Sequence, residues 1–169
     1  CPIIGIEPSA ILSFRDEYLR MVQNKEAAKK VALNSFIIEE FLSDEIKKGN
    51  ITSSQFSSEE KTVKYHAHCH QKSQSNTKST FDILNLPSNF NVTMINSGCC
   101  GMAGSFGMEK EHYEISTKIA EDRLLPNLRK SKENQEIVVT GISCHDQIKD
   151  LSNKNPRYLV EVLAEAIRY

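Results

Sequence analysis

The sequence has no excess of charge, no long apolar run and no leader-like segment. Its 21 Lys and Arg residues against 22 Asp and Glu leave a net charge of −1, so electrostatics favours neither nucleic acid nor an anionic membrane as a partner. No stretch reaches the roughly 18–20 apolar residues that cross a bilayer, and nothing resembles a signal peptide. Five cysteines are too few for a disulfide framework, and a chain of 169 residues is large enough for a hydrophobic core without one. No C-x-x-C pair occurs, which weighs against a thiol–disulfide exchange site. There is no internal repeat and no linker long enough to divide the chain, so residues 1–169 read as one domain. The first residue is Cys rather than Met and runs straight into an apolar segment, so the chain reads as a piece of a longer protein. With no secretory signal, the expected location is the cytoplasm, either free or peripheral at the inner face of the membrane.

What is present is an alternation of short apolar runs and amphipathic ones. "PIIGI" (2–6), "TVKYHA" (62–67), "NVTMI" (91–95) and "EIVVTG" (136–141) read as strands. Helices are expected over 8–22, about 35–48, 79–86 and from the glycine loop to about Leu125, where Pro126 ends or kinks the last of these. Further helices cover "CHDQIKDLS" and the stripe Leu159, Val162, Leu163, Ala166 and Ile167. The expected fold is α/β, a three-layer sandwich with a mainly parallel sheet of about four strands and helices on both faces.

Parallel strands all end at one edge, and in open α/β sheets that carboxyl edge is where ligands bind. The segments after the four strands are Glu7-Pro8-Ser9-Ala10, His68-Cys69-His70, Ser97-Gly98-Cys99-Cys100-Gly101 and Gly141-Ile142-Ser143-Cys144-His145. Every cysteine except Cys1 directly follows a strand. Cys69, Cys99, Cys100 and Cys144 are therefore expected to converge, with His68, His70 and His145 as substitute ligands. Four thiols suit zinc or an iron–sulfur cluster. Amides at the start of a helix after "GCCGMAGSFG" would stabilise thiolates. His66, on the strand itself, reads as a packing residue. Arg15, Asp16 and Glu17 read as a solvated helix face, with Arg15 the one of them suspected of facing the site. The glycines of the loop lack the order of a dinucleotide-binding turn.

The segments "GIEPSAILSFRDEY", "HAHCHQKS", "SGCCGMAGSFGMEKEHYEIS", "GISCHDQI" and "LVEVLAEAI" together resemble the cysteine-rich CCG domain, in particular its C-terminal copy in FAD-linked oxidases of the D-lactate and glycolate dehydrogenase type. Related copies occur in heterodisulfide reductase and in anaerobic glycerol-3-phosphate dehydrogenase. The resemblance implies an electron-transfer module that binds an iron–sulfur cluster, for example 4Fe-4S, or a metal through Cys69, Cys99, Cys100 and Cys144. FAD would sit only in another part of the parent protein. The partners would be the flavin and ferredoxin-like domains of the same parent chain, and the isolated fragment would be inactive as a dehydrogenase. Two departures from the family pattern bear on the site. Ala10 stands where relatives commonly carry a cysteine, and Gln147 stands where some complete a C-x-x-C. They leave open a structural or docking domain with zinc or a vacated site.

Overall fold

The computed structural model describes residues 1–168. The chain opens with strand β1 (Ile3–Gly5), helices α1 (Pro8–Ile11), α2 (Glu17–Met21) and α3 (Lys25–Asn34), strand β2 (Ser35–Ile37) and helix α4 (Ile38–Lys47). Then follow β3 (Lys61–His66), α5 (Cys69–Gln74), α6 (Lys78–Leu84), β4 (Phe90–Met94), α7 (Tyr113–Asp122), α8 (Leu124–Arg129), β5 (Gln135–Val139), α9 (Ile142–Leu151), β6 (Arg157–Tyr158) and α10 (Leu159–Ala166). The main sheet has the order β4-β3-β5-β6, and every pair in it is parallel. Alternation along β5 divides the core: Val138 packs with Val63, Tyr65, Ile83 and Val162 on one face. Ile137 and Val139 pack with Ala120, Leu124 and Ile148 on the other. Helices thus cover both faces, the arrangement expected of an α/β sandwich. Among the described residues no helix is long and apolar enough to cross a membrane.

Four strands were expected, and the four-stranded sheet is present with one substitution. β1 does not join it; β1 pairs with β2 in a separate parallel pair, and the main sheet takes β6 instead. "SFI" at 35–37 extends a helical apolar pattern, which hides the strand from a periodicity reading, and a two-residue β6 is too short for period-2 alternation to register. The helix expected over 8–22 is broken by a 3-10 turn at Leu12–Arg15 and by Asp16 at φ −128°, ψ −78°. The long helix expected up to Leu125 starts only at Tyr113 and breaks at Arg123 (φ −141°), with Pro126 inside the first turn of α8. Met108 and Ile115, which share helical spacing, are exposed, and α7 buries Ser116 and Ala120 instead. These small residues let the glycine loop lie close against the helix.

Between the β1–β2 pair and the main sheet lies a cleft of about 440 Å³, lined by Ile6, Ile38, Glu39, Val139 and Leu159 among others. Glu39 is only 1% exposed and its Oε2 has no hydrogen-bond partner among the described residues. Burial first, then the nearby Glu40 and Glu7 charges, push its carboxyl up from 4.5 to about 7. The folded state therefore binds more protons than the unfolded chain between those two values. Stability from this group is complete below pH 4.5, falls as pH rises through the window, and is level above 7. Glu39→Gln removes the ionisation. In urea unfolding of the metal-free protein, the variant should match the parent near pH 4.5 and exceed it at pH 8 by on the order of 3 kcal/mol. A difference between the two that does not change with pH would contradict this account.

Candidate metal centre

The order β4-β3-β5-β6 places the topological switch between β3 and β5, because the chain leaves β3 toward one side of the sheet and β5 toward the other. The crevice at such a point is the preferred binding place of an open α/β sheet. The β3 end supplies His66, His68 and Cys69, and the β5 end supplies Cys144 through the first turn of α9. Cys99 and Cys100 arrive from the loop after β4.

The β3 end is pinned to β5 by a buried polar chain. The His68 N–H donates to Thr140 Oγ1 (2.9 Å), and that hydroxyl donates to Gln71 Oε1 (2.9 Å). Gln71 Nε2 donates to Thr80 Oγ1 (2.7 Å). His68 caps α5, its Nδ1 accepting from the His70 N–H at 3.2 Å. Gly141 leaves room for this histidine, since a Cβ there would meet His68 Cδ2 at 2.5 Å. From the other side, Glu7 clamps the helix that carries Cys144. Its Oε1 accepts from the Ser9 amide (3.1 Å) and its Oε2 from the Ile142 amide (2.7 Å). The "EPSA" segment thus delivers a clamp to the site, while Ala10 itself is exposed.

All four expected cysteines gather, in two tiers. Cys100 and Cys144 are buried, while Cys69 and Cys99 are half-exposed. Neighbouring thiols shift one another's proton affinity. Hydrogen bonding with Cys99 pushes Cys69 up, and hydrogen bonding with Cys144 does the same to Cys100. Conversely, bonding from Cys100 holds Cys99 and Cys144 well below the ordinary thiol range. The Gly101 amide also donates to Cys99 Sγ at 3.3 Å. The amide on Cys99 thus comes from the glycine loop itself and not from a helix start, because α7 begins only at Tyr113. Cys69 and Cys144 do occupy first turns, of α5 and α9.

The histidines at this edge have different surroundings. His68 is committed to capping, and His145 pairs with Asp146 (2.9 Å) and stacks on Tyr158 at 4.9 Å. The His70 Nδ1 lacks a partner, but His70 is not in the group of potential ligands that gathers here. That group is His66, Cys100 and Cys144, with ligand atoms all within 4.8 Å of one another. His66 is fully buried, its Nδ1 lies 2.7 Å from Ser97 Oγ, and its Nε2 has no hydrogen-bond partner among the described residues. Sequence reasoning missed it because a histidine on a strand is usually a packing residue. The available signal was parity: Tyr65 points to one face of β3, so His66 points to the other, where Ile137, Val139 and Cys144 lie. An orphaned buried imidazole nitrogen beside soft thiols fits a metal ligand set.

The remaining expectations resolve plainly. Gln147, the position of the missing second cysteine, donates to Ser116 Oγ (2.8 Å) and so ties α9 to α7. Arg15 does not face the site; its guanidinium binds the Ser35 carbonyl and the Glu40 carboxylate. Lys72 does touch the site, its Nζ donating to the Ser97 and Gly98 carbonyls at 2.8 and 2.9 Å. It holds the loop that presents Cys99 and Cys100.

The model of the cysteine-rich domain family CCG matches residues 63–149, which hold all four cysteines and His66. The chain is 29% identical over 167 residues to a D-2-hydroxyglutarate dehydrogenase of Pantoea ananatis, covering 98% of this chain and 16% of that protein. It is also 29% identical over 169 residues to the D-2-hydroxyglutarate dehydrogenase of Pseudomonas putida, covering 97% of this chain and 15% of that protein. With one subunit of the anaerobic glycerol-3-phosphate dehydrogenase of Escherichia coli it shares 31% identity over 107 residues, 62% of this chain and 26% of that protein. The chain thus spans about a sixth of the length of the first of these relatives. No solved structure matches it.

Proposed function

This chain belongs to the CCG family of cysteine-rich domains, and from that premise we propose that it is the electron-transfer module of a flavin-linked 2-hydroxyacid dehydrogenase, its cysteines holding an iron–sulfur cluster. The observation that carries the reading is a run of neighbouring thiols, Cys69 beside Cys99, Cys99 beside Cys100 and Cys100 beside Cys144, with the His66 Nε2, unpartnered among the described residues, next to the last two. The names of the two dehydrogenase relatives support the substrate class. A cluster, when bound, supplies a one-electron store whose potential follows its ligands and burial. The chain's own residues supply the rest. Cys100 and Cys144 are closed off from water by Ile95, Leu124, Val139 and Ile148. Lys72 and the Gly101 amide fix the loop, and Cys69 and Cys99 form the rim nearest solvent. Residues 1–169 act as one domain, with flavin and ferredoxin-like domains in the same parent chain as its partners. The isolated domain is expected to have no dehydrogenase activity.

A second reading, a structural zinc site, is favoured by one observation: the buried group is a Cys₂His trio, and zinc accepts mixed Cys/His sets. Purification without oxygen followed by elemental analysis and an absorption spectrum separates the two. Iron and sulfide with broad visible absorbance are expected. One zinc per chain, or no metal, would overturn the electron-transfer reading.

A further inference from the structure

We infer that His66 is a metal ligand through Nε2, so that the centre is a mixed Cys/His site built on His66, Cys100 and Cys144, with Cys99 and Cys69 as its outer donors. The inference rests on the metal-module reading above and names the ligand set of that same site.

Three features of the geometry carry it. The His66 Nε2 and the two buried sulfurs lie within 4.8 Å of one another, and a tetrahedral zinc or iron ion holds its ligand atoms about 3.5–4 Å apart. Small side-chain adjustments close that gap. The ring's other nitrogen is already oriented. Ser97 Oγ lies 2.7 Å from Nδ1, where its lone pair can accept the ring N–H. In that pairing the Nε2 lone pair faces the thiols, the arrangement that metal-bound histidines use. Finally, this fully buried nitrogen has no hydrogen-bond partner among the described residues, and leaving such a group unpaired costs about 1–3 kcal/mol. The same strand order explains the placement. His66 ends β3 on the face where Cys144 enters from β5, so the trio spans the switch point itself.

The test uses the metal-free, reduced chain labelled with ¹⁵N-histidine and loaded with ¹¹³Cd²⁺. A ¹¹³Cd resonance split by one ¹⁵N, assigned to His66 Nε2, is expected. His66→Gln should remove the splitting and weaken cadmium and zinc binding at least tenfold. Ser97→Ala leaves every ligand in place yet should weaken binding about 10–100-fold, because it frees the ring that Nδ1 held. It guards against a folding defect in the His66 variant. Cadmium bound by thiolates with no ¹⁵N splitting, together with unchanged affinity in both variants, overturns the inference and leaves the metal module standing. No binding of cadmium or zinc by the parent chain overturns both.

Discussion

Alanine at Gly101 should destabilise the protein by about 3–5 kcal/mol in urea unfolding and strip the site of its capacity to bind metal. Gly101 sits at φ +98°, where a side chain is strained. That alone costs about 1–3 kcal/mol. The second part is contact. A Cβ there would lie 2.2 Å from the Ser116 carbonyl oxygen and 3.0 Å from its carbon. Both atoms belong to the backbone of α7, which cannot swing aside as a side chain could, and relieving such a clash costs about 1–3 kcal/mol more. The loop would have to lift, taking with it the Gly101 amide that donates to Cys99 and the buried Cys100 beside it. Gly104 provides the internal comparison. Its φ is +69° but a Cβ there meets nothing within 4 Å, so Gly104→Ala should cost about 1 kcal/mol and leave metal binding intact. Equal losses at the two glycines would mean that the loop is not seated on α7.

The adjacent cysteines are therefore explained by a surface as much as by chemistry. The loop must lie flat on a helix that offers only small residues, Ser116 and Ala120, and must still turn two thiols inward at different depths. This packing was not legible in the sequence. Met108, Ile115 and Ile119 recur at helical spacing, whereas the buried face is marked by small polar and apolar residues that carry no hydropathy signal. The same limit hid the clamp by Glu7. A carboxylate after a strand is unremarkable until the α9 amide it accepts from, 135 residues away, is known. What the sequence did reveal were the features governed by local rules. Val63, Tyr65 and Val138 alternate toward one side, the strands that bear cysteines are long enough to register, and parallel pairing sends their ends to one edge. That edge was enough to bring Cys69, Cys99, Cys100 and Cys144 together on paper. The roles of the histidines were not separable in the sequence because capping, stacking and metal ligation all use the same side chain, and only distance separates them. His68 and His145 are taken by the first two roles, and His66 is left facing the thiols.

The four cysteines should not be equal in their effect on metal binding. Cys144→Ala removes a donor with 0% exposure, surrounded by Ile137, Val139 and Ile148. Water cannot reach that position to complete the coordination, and the remaining buried donors, His66 and Cys100, cannot hold an ion alone. Zinc or iron affinity is expected to fall about a thousandfold or more, some 4 kcal/mol at 1.4 kcal/mol per factor of ten. Cys69 stands at the half-exposed rim in the first turn of α5, where a water molecule can take its place. Cys69→Ala should cost nearer tenfold. The metal-free proteins should differ far less. Without metal, Cys144 packs as a small side chain in the apolar wall of Ile137, Val139 and Ile148. Alanine there leaves a gap of about one atom, and the metal-free variant should unfold within about 1–2 kcal/mol of the parent. Competition against a chelator of known affinity, with urea unfolding of each metal-free variant alongside, reads both effects. Equal thousandfold losses at Cys69 and Cys144 would show four equivalent thiolate ligands, and the inner trio of His66, Cys100 and Cys144 would no longer describe the site.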